Sequence, residues 1–201
     1  MQMGVDLPVR LESPSVRVRS RYPETQAAAV AGEFAAAVKE AAAALGLEVP
    51  AQPADVVVLA PGEEKGWGLH RTGGLSLPGP EGRVILALPN RLGERERWVI
   101  RHEAVHWLLA RTFAVAGPDR LSGVPRWLDE GLATAFETGG ENRERKAEFK
   151  RLASPRWRGL IGLERTLGLP RGKAITSADY ARAWAVCTHL LQTEPETLRA
   201  L

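Results

Sequence analysis

The chain has little with which to cross-link itself or to enter a membrane. Cys187 is its only cysteine, so no intramolecular disulfide forms and no cysteine cluster can hold a metal. One buried thiol suits a reducing compartment. The opening residues MQMGVDLPVRLESP lack the apolar core that a secretory signal needs. The Ala-rich stretch 27–47 is interrupted by Glu33, Lys39 and Glu40, which excludes a membrane span. From these absences we expect a soluble, cytoplasmic protein with no membrane partner. Oligomeric state is not legible. Charge of one sign is also scarce: 27 basic and 24 acidic residues leave a formal net charge of +3. The excess is local, because the segment 141–173 alone carries ten Lys or Arg against four Glu. Its simplest reading is a solvated helix face; the sharper one is a basic wall for acidic substrates or nucleic acid. No aromatic-interleaved nucleic-acid motif accompanies it, so nucleic acid is not an expected partner.

What is present is ordinary in bulk. The 201 residues, 44% hydrophobic and 25% charged, suit one domain with a buried core. Residues 1–14, with Pro8 and Pro14 and no sustained period, read as a loose leader. The domain then covers 15–201, with an α/β lobe over 15–113 and a helical lobe over 114–201. SVRVRSRY (15–22) alternates apolar and basic residues as a half-exposed strand does. A long helix opens at Pro23 and Glu24 and stops at Gly46; Val30, Phe34, Val38, Ala41 and Leu45 form its apolar stripe and pack on a sheet. VVVLA (56–60) and RVILAL (83–88) read as strands, and residues 67–78 as a hairpin around Gly73 and Gly74. Helices follow over 94–112, from 125 or 126 to 137 with Gly139 and Gly140 ending it, over 141–152, and over 178–192 with Ser177 as the cap. The expected fold class is α+β: a small mixed sheet and a long helix in the N-terminal half, an active-site helix, then a mostly helical C-terminal half.

Histidine is sparse, with four in the chain, yet two of them fall together in VIRHEAVHWLL (99–109). Four residues apart on a helix, His102 and His106 share one face and can meet one cation, while Glu103 is turned toward a metal-held water rather than the metal. The apolar flanks Val99, Ile100, Ala104, Val105, Trp107 and Leu108 place that helix inside the domain. Two imidazoles are not enough for a catalytic zinc site, which takes three protein ligands and leaves one position open. A metzincin-type third histidine is absent, since position 112 is Thr and position 109 is Leu. His70 and His189 read as hairpin and surface residues. WLDEGLATAFE (127–137) is a helix with Leu128, Leu132, Ala135 and Phe136 on one side and Glu130, Ala133, Thr134 and Glu137 on the other. Gly131, Ala133 and Ala135 are small enough to admit a second helix. The pattern is also satisfied if Glu130 simply shares a solvated face with Glu137.

The pair H-E-A-V-H and W-L-D-E-G-L-A-T, within residues 95–190, resembles the gluzincin peptidases, in particular the aminopeptidase-N-like branch and its small peptidase-MA relatives. The resemblance implies a zincin-like fold and zinc, Zn2+, as cofactor, held by His102, His106 and Glu130, with Asp129 the competing third ligand. It also implies Glu103 as the catalytic base. DYARAWAVCTHLL (179–191) resembles the segment that gives those enzymes an oxyanion-binding tyrosine, which falls on Tyr180. That residue equally ends a core stripe of Tyr180, Trp184, Cys187 and Leu191. Thr134 and Asp129 are candidates to orient the histidines, and both also fit plain helix packing. No G-A-M-E-N-like string precedes the zinc helix, so a grip on a free amino terminus is not implied. The family's layout would let residues 67–78 pair with an extended substrate. The leading expectation is therefore a zinc-dependent hydrolase of peptide bonds acting on a peptide or protein substrate. Its rivals are a catalytically inactive zinc-binding scaffold working through protein contacts, and a basic nucleic-acid module resting on 141–173.

Overall fold

A computed structural model of the chain describes residues 7–63, 74–76, 82–114, 124–137, 142–152, 162–170 and 175–199. The described strands are β1 (Val9–Glu12), β2 (Val16–Ser20), β3 (Ala54–Leu59), β4 (Gly74–Ser76) and β5 (Arg83–Ala87), and they form one sheet in the order β1-β2-β3-β5-β4. The inner three strands run parallel, with Val18 beside Val56 and Val56 beside Val84. Both outer strands are antiparallel to their neighbours. The two central strands, β3 and β5, carry continuous apolar runs, as strands covered on both faces require, whereas β2 alternates valine with arginine. Alternation then sorts their side chains. Val16, Val18, Val56, Val58, Val84 and Leu86 point into the main core, whereas Val57, Leu59 and Ile85 gather with Leu7 on the opposite face.

The main core is closed by helices: α1 (Glu24–Leu45), α2 (Glu94–Ala114), α3 (Arg126–Phe136), α4 (Arg143–Leu152), α5 (Leu163–Leu167), α6 (Ser177–Thr193) and α7 (Pro195–Arg199). Alanine dominates α1 and favours helix at almost no cost in side-chain entropy. Gly46 ends it in the left-handed conformation, at φ 67°, and returns its N–H to the Ala42 carbonyl. All five stripe residues of α1 are buried, each contributing about 1–3 kcal/mol as it leaves water. The helix packs on the sheet and on α2, where Phe34 meets the Trp107 ring edge-on at 5.7 Å. Arg101 of α2 is buried and donates to the Phe136 carbonyl at 2.7 Å and to Glu33 at 3.3 Å, and it also pairs with Glu40. One guanidinium thereby joins α1, α2 and the last carbonyls of α3, groups that a helix end leaves without partners.

The α+β class, the small mixed sheet and the long early helix are as expected. Several details differ. Val9–Glu12 lies within the stretch expected to be a loose leader and is an edge strand instead, because its partner β2 supplies the order that its own sequence does not signal. The last long helix is capped by Thr176 rather than Ser177. The Thr176 hydroxyl accepts from the Asp179 N–H while the Asp179 carboxylate accepts from the Thr176 N–H, a reciprocal capping box. Ser177 sits one residue inside and donates to Glu148 at 2.6 Å. The strand β4 pairs with β5, with Leu75 opposite Ile85; the rest of the expected hairpin, His70 included, lies outside the described residues, as do Gly139 and Gly140. Among the described residues no helix is long and apolar enough to cross a membrane.

The approach of α6 to α3 is set by one missing side chain. A Cβ added to Gly131 would stand 2.6 Å from both the Ala183 carbonyl oxygen and the Cys187 sulfur. Backbone cannot retreat as a flexible side chain can, so Gly131→Ala should cost about 1–3 kcal/mol. For a chain of this length that lowers the melting temperature by roughly 2–10 °C. A calorimetric scan showing no loss would contradict this packing.

Candidate metal centre

His102 and His106 project from the middle of α2, one turn apart, with side chains only 15% and 16% exposed. Each ring is held at its inner nitrogen by a carboxylate of α3 or of the residue that follows it. His102 Nδ1 donates to Glu137 Oε1 at 2.8 Å, and His106 Nδ1 donates to Asp129 Oδ1 at 2.7 Å. Glu137 is in turn held by Asn142 Nδ2 at 2.8 Å. With both Nδ1 atoms so engaged, the two Nε2 atoms face one another at 3.0 Å. Oε2 of Glu130 stands 3.6 Å from each of them. These three side chains form a group that could hold a metal ion. The point equidistant from such a triangle of atoms lies about 2.0 Å from each, the length of a typical imidazole or carboxylate bond to a divalent metal.

The donor chemistry fits as well as the distances. Rings that donate through Nδ1 turn lone pairs toward each other at Nε2, an arrangement that only a shared cation or a proton relieves. The surroundings favour positive charge at that point. Burial works against a charged His102, yet Glu130 and Glu137 outweigh it and lift the imidazole to about 9. Burial likewise opposes charge on His106, and Asp129 and Glu130 raise it well above its ordinary value. Burial would raise Glu130, but the two histidines hold it far below the usual carboxylate range. Glu103 is buried, and its charge acts on both imidazoles.

Tyr180 closes another side. Its ring lies 6.4 Å from that of His102, and its hydroxyl feels the Glu130 charge. Burial and the Glu130 charge push the phenol well up, so it remains a donor at neutral pH. Asp179 fixes the start of α6 that presents it: fully buried, it accepts from Thr166 Oγ1 at 2.9 Å and from Thr176 Oγ1 at 2.6 Å. The structure thus brings His102, His106, Glu130, Glu103 and Tyr180 together. His189 does not join them; it is exposed, and its ring faces Thr193 at 3.4 Å. Thr134 does not orient a histidine, since its buried hydroxyl has no hydrogen-bond partner among the described residues. Asp129 does, as a partner of His106 rather than a third ligand. Nothing in the sequence alone marks Asn142, and Glu137 is marked only weakly. Glu137 shares the Glu130 face at helical spacing, which is the signal that could have marked it.

Carboxylates behind metal-bound imidazoles fix ring orientation and strengthen the ligand, and their loss commonly weakens binding about 10–100-fold. Asp129→Asn and Glu137→Gln should each produce a loss of that order in competition titrations with first-row divalent ions, and Glu130→Ala a larger one. Unaltered affinity in both conservative variants would sink the assignment of these carboxylates.

No curated protein and no solved structure matches the chain. A family model described as "Protein of unknown function (DUF1570)" matches residues 98–201, just over half of the sequence. The matched segment contains every residue of the candidate metal centre, from His102 to Tyr180. The chain belongs to this DUF1570 family.

Proposed function

We propose that the protein is a zinc-dependent hydrolase of peptide bonds with a zincin-like fold, related to the gluzincins. The observation that carries the reading is the convergence of two imidazole nitrogens and one carboxylate oxygen, each imidazole backed by a carboxylate, with Glu103 in the same helical turn. Two nitrogen donors and one oxygen donor suit zinc, and three protein ligands leave a coordination position for substrate or water. Bound there, the ion would polarise a carbonyl and make a water acidic enough to attack at neutral pH. The residues of the chain divide the remaining work. Glu103 accepts the proton of the attacking water and returns it to the leaving nitrogen. Tyr180, kept protonated by burial and Glu130, donates to the oxygen that gains charge in the transition state. Asp129 and Glu137 hold the two rings still while this occurs.

A zinc-binding scaffold without turnover would use the same ligands but not Glu103. The decisive comparison is wild type against Glu103→Gln on casein and on a peptide library, with zinc content and melting temperature measured on both. Removing a general base should lower kcat/KM by about 10²–10⁴-fold while zinc stays bound. Equal cleavage by the two proteins, or zinc retention with no cleavage by wild type, would end the peptidase reading and leave the scaffold.

A further inference from the structure

The helix α4 has little hydrophobic reason to lie where it does. Its sequence RERKAEFKRL is mostly charged, and Leu152 is its one buried residue. Exposed ion pairs add little to stability, so a few directed contacts set its placement beside α6. Two residues of this stretch reach groups of the candidate site. Asn142, just ahead of the helix, is only 3% exposed, and both ends of its amide are engaged. Oδ1 accepts the Arg145 N–H at 3.0 Å and so caps α4, while Nδ2 donates to Oε2 of Glu137 at 2.8 Å. The other oxygen of Glu137 is the one that takes the Nδ1 proton of His102. A cap needs only the oxygen, which Ser would supply as well; the amide nitrogen serves the carboxylate behind the imidazole. One turn on, Arg145 lays its guanidinium over the Tyr180 ring, 5.1 Å from the centroid. Ser177, one turn before Tyr180 on α6, accepts from Arg145 at 3.1 Å and donates to Glu148 at 2.6 Å, and Glu148 stands 3.6 Å from Arg145. This closed set of three fixes the guanidinium over the ring.

We propose that Asn142 and Arg145 are positioning residues, and that α4 is the strut which keeps the His102 ring and the Tyr180 phenol in one frame. The inference rests on the peptidase reading, in which those two groups serve one bond. They come from different helices, α2 and α6, and their rings are 6.4 Å apart, so a tilt of either changes the separation. Asn142 acts on the first through Glu137. A carboxylate that bonds an imidazole through one oxygen can pivot about that bond, and a donor on its second oxygen stops the pivot. Arg145 acts on the second. A tyrosine ring swings and flips about its side-chain torsions, and a guanidinium held against its face by cation–π attraction narrows that range. Because the cap joins Asn142 to the Arg145 N–H, displacement of one carries the other. The polar contacts of a charged surface helix thus run to two groups of the candidate site rather than to the core.

Asn142→Ser keeps the cap and removes the amide donor. Zinc affinity, measured by competition titration, should fall about tenfold, the lower end of what outer partners of a ligating imidazole contribute. In a Glu137→Ala background the same substitution should cost nothing further, because the group it acts through is gone. Arg145→Gln should leave zinc affinity unchanged and act on the tyrosine instead. With only two tyrosines in the chain, ring-labelled tyrosine NMR follows Tyr180 with Tyr22 as internal control. The Tyr180 ring-flip rate should rise about tenfold as the guanidinium is lost. On any peptide that wild type cleaves, kcat should fall about 10–100-fold with KM unchanged. Arg145→Lys, which keeps a cation over the ring, should recover most of both effects. Unchanged zinc affinity in Asn142→Ser overturns the proposal, as does an equal further loss in the Glu137→Ala background. An unchanged Tyr180 flip rate in Arg145→Gln overturns it too, as does a fall in melting temperature with affinity and flip rate both unmoved. The peptidase reading fails separately, if wild type cleaves nothing; the zinc titration and the flip rate then still decide whether α4 positions these groups.

Discussion

The geometry of the His102, His106 and Glu130 group depends on the clasp between α2 and the helix that follows it. Consecutive residues of α2 reach the same end of α3: Arg101 takes the Phe136 carbonyl and His102 takes Glu137. One turn later His106 takes Asp129 near the start of α3. The imidazoles are thus aimed from behind, and the facing of their Nε2 atoms follows from where their Nδ1 protons go. Arg101 extends the constraint to α1 through Glu33 and Glu40. A buried guanidinium is tolerated only when its donors are met, so this residue fixes the spacing of three helices as a condition of being buried at all. Helix positions and ring orientations are consequently one problem with one solution.

The Tyr180 side is built on a different principle. There the contact between α3 and α6 is close packing around Gly131, with Cys187 and Ala183 filling the space that a side chain would need. Asp179 supplies the polar part, joining the start of α6 to Thr166 of α5 and to its own cap. Charge sets the histidine side and van der Waals contact sets the tyrosine side. The two meet at Glu130, which faces both imidazoles and whose charge acts on Tyr180.

This division explains which features were readable in the sequence. H-E-x-x-H is legible because both histidines lie within one turn of one helix, and a local period carries that information. The α1 stripe and its Gly46 stop are local in the same sense. The edge strand β1 carries no signal of its own because its order comes from β2, and Ser177 has the look of a cap although the capping box closes on Thr176 and Asp179. Glu130 needed a resemblance to be chosen over a solvated face, since the 23 residues between His106 and Glu130 carry no period linking them. Asp129 and Glu137 illustrate the limit most sharply. They differ from any acidic helix residue only in what stands opposite, and what stands opposite is settled by packing.

The same arrangement bears on how an ion would be received. Histidines on a loop would lose conformational freedom on binding, and the loss would subtract from affinity. Here the three side chains sit on helices whose relative placement is enforced by Arg101 and Gly131, and the rings are locked by carboxylates without any ion. The anionic surroundings that lift both imidazoles also neutralise positive charge brought to the Nε2 atoms, whether it comes as protons or as a divalent cation. The ordering cost therefore falls on folding rather than on binding. Such a site can stay assembled without an ion, so binding would add little to the structure.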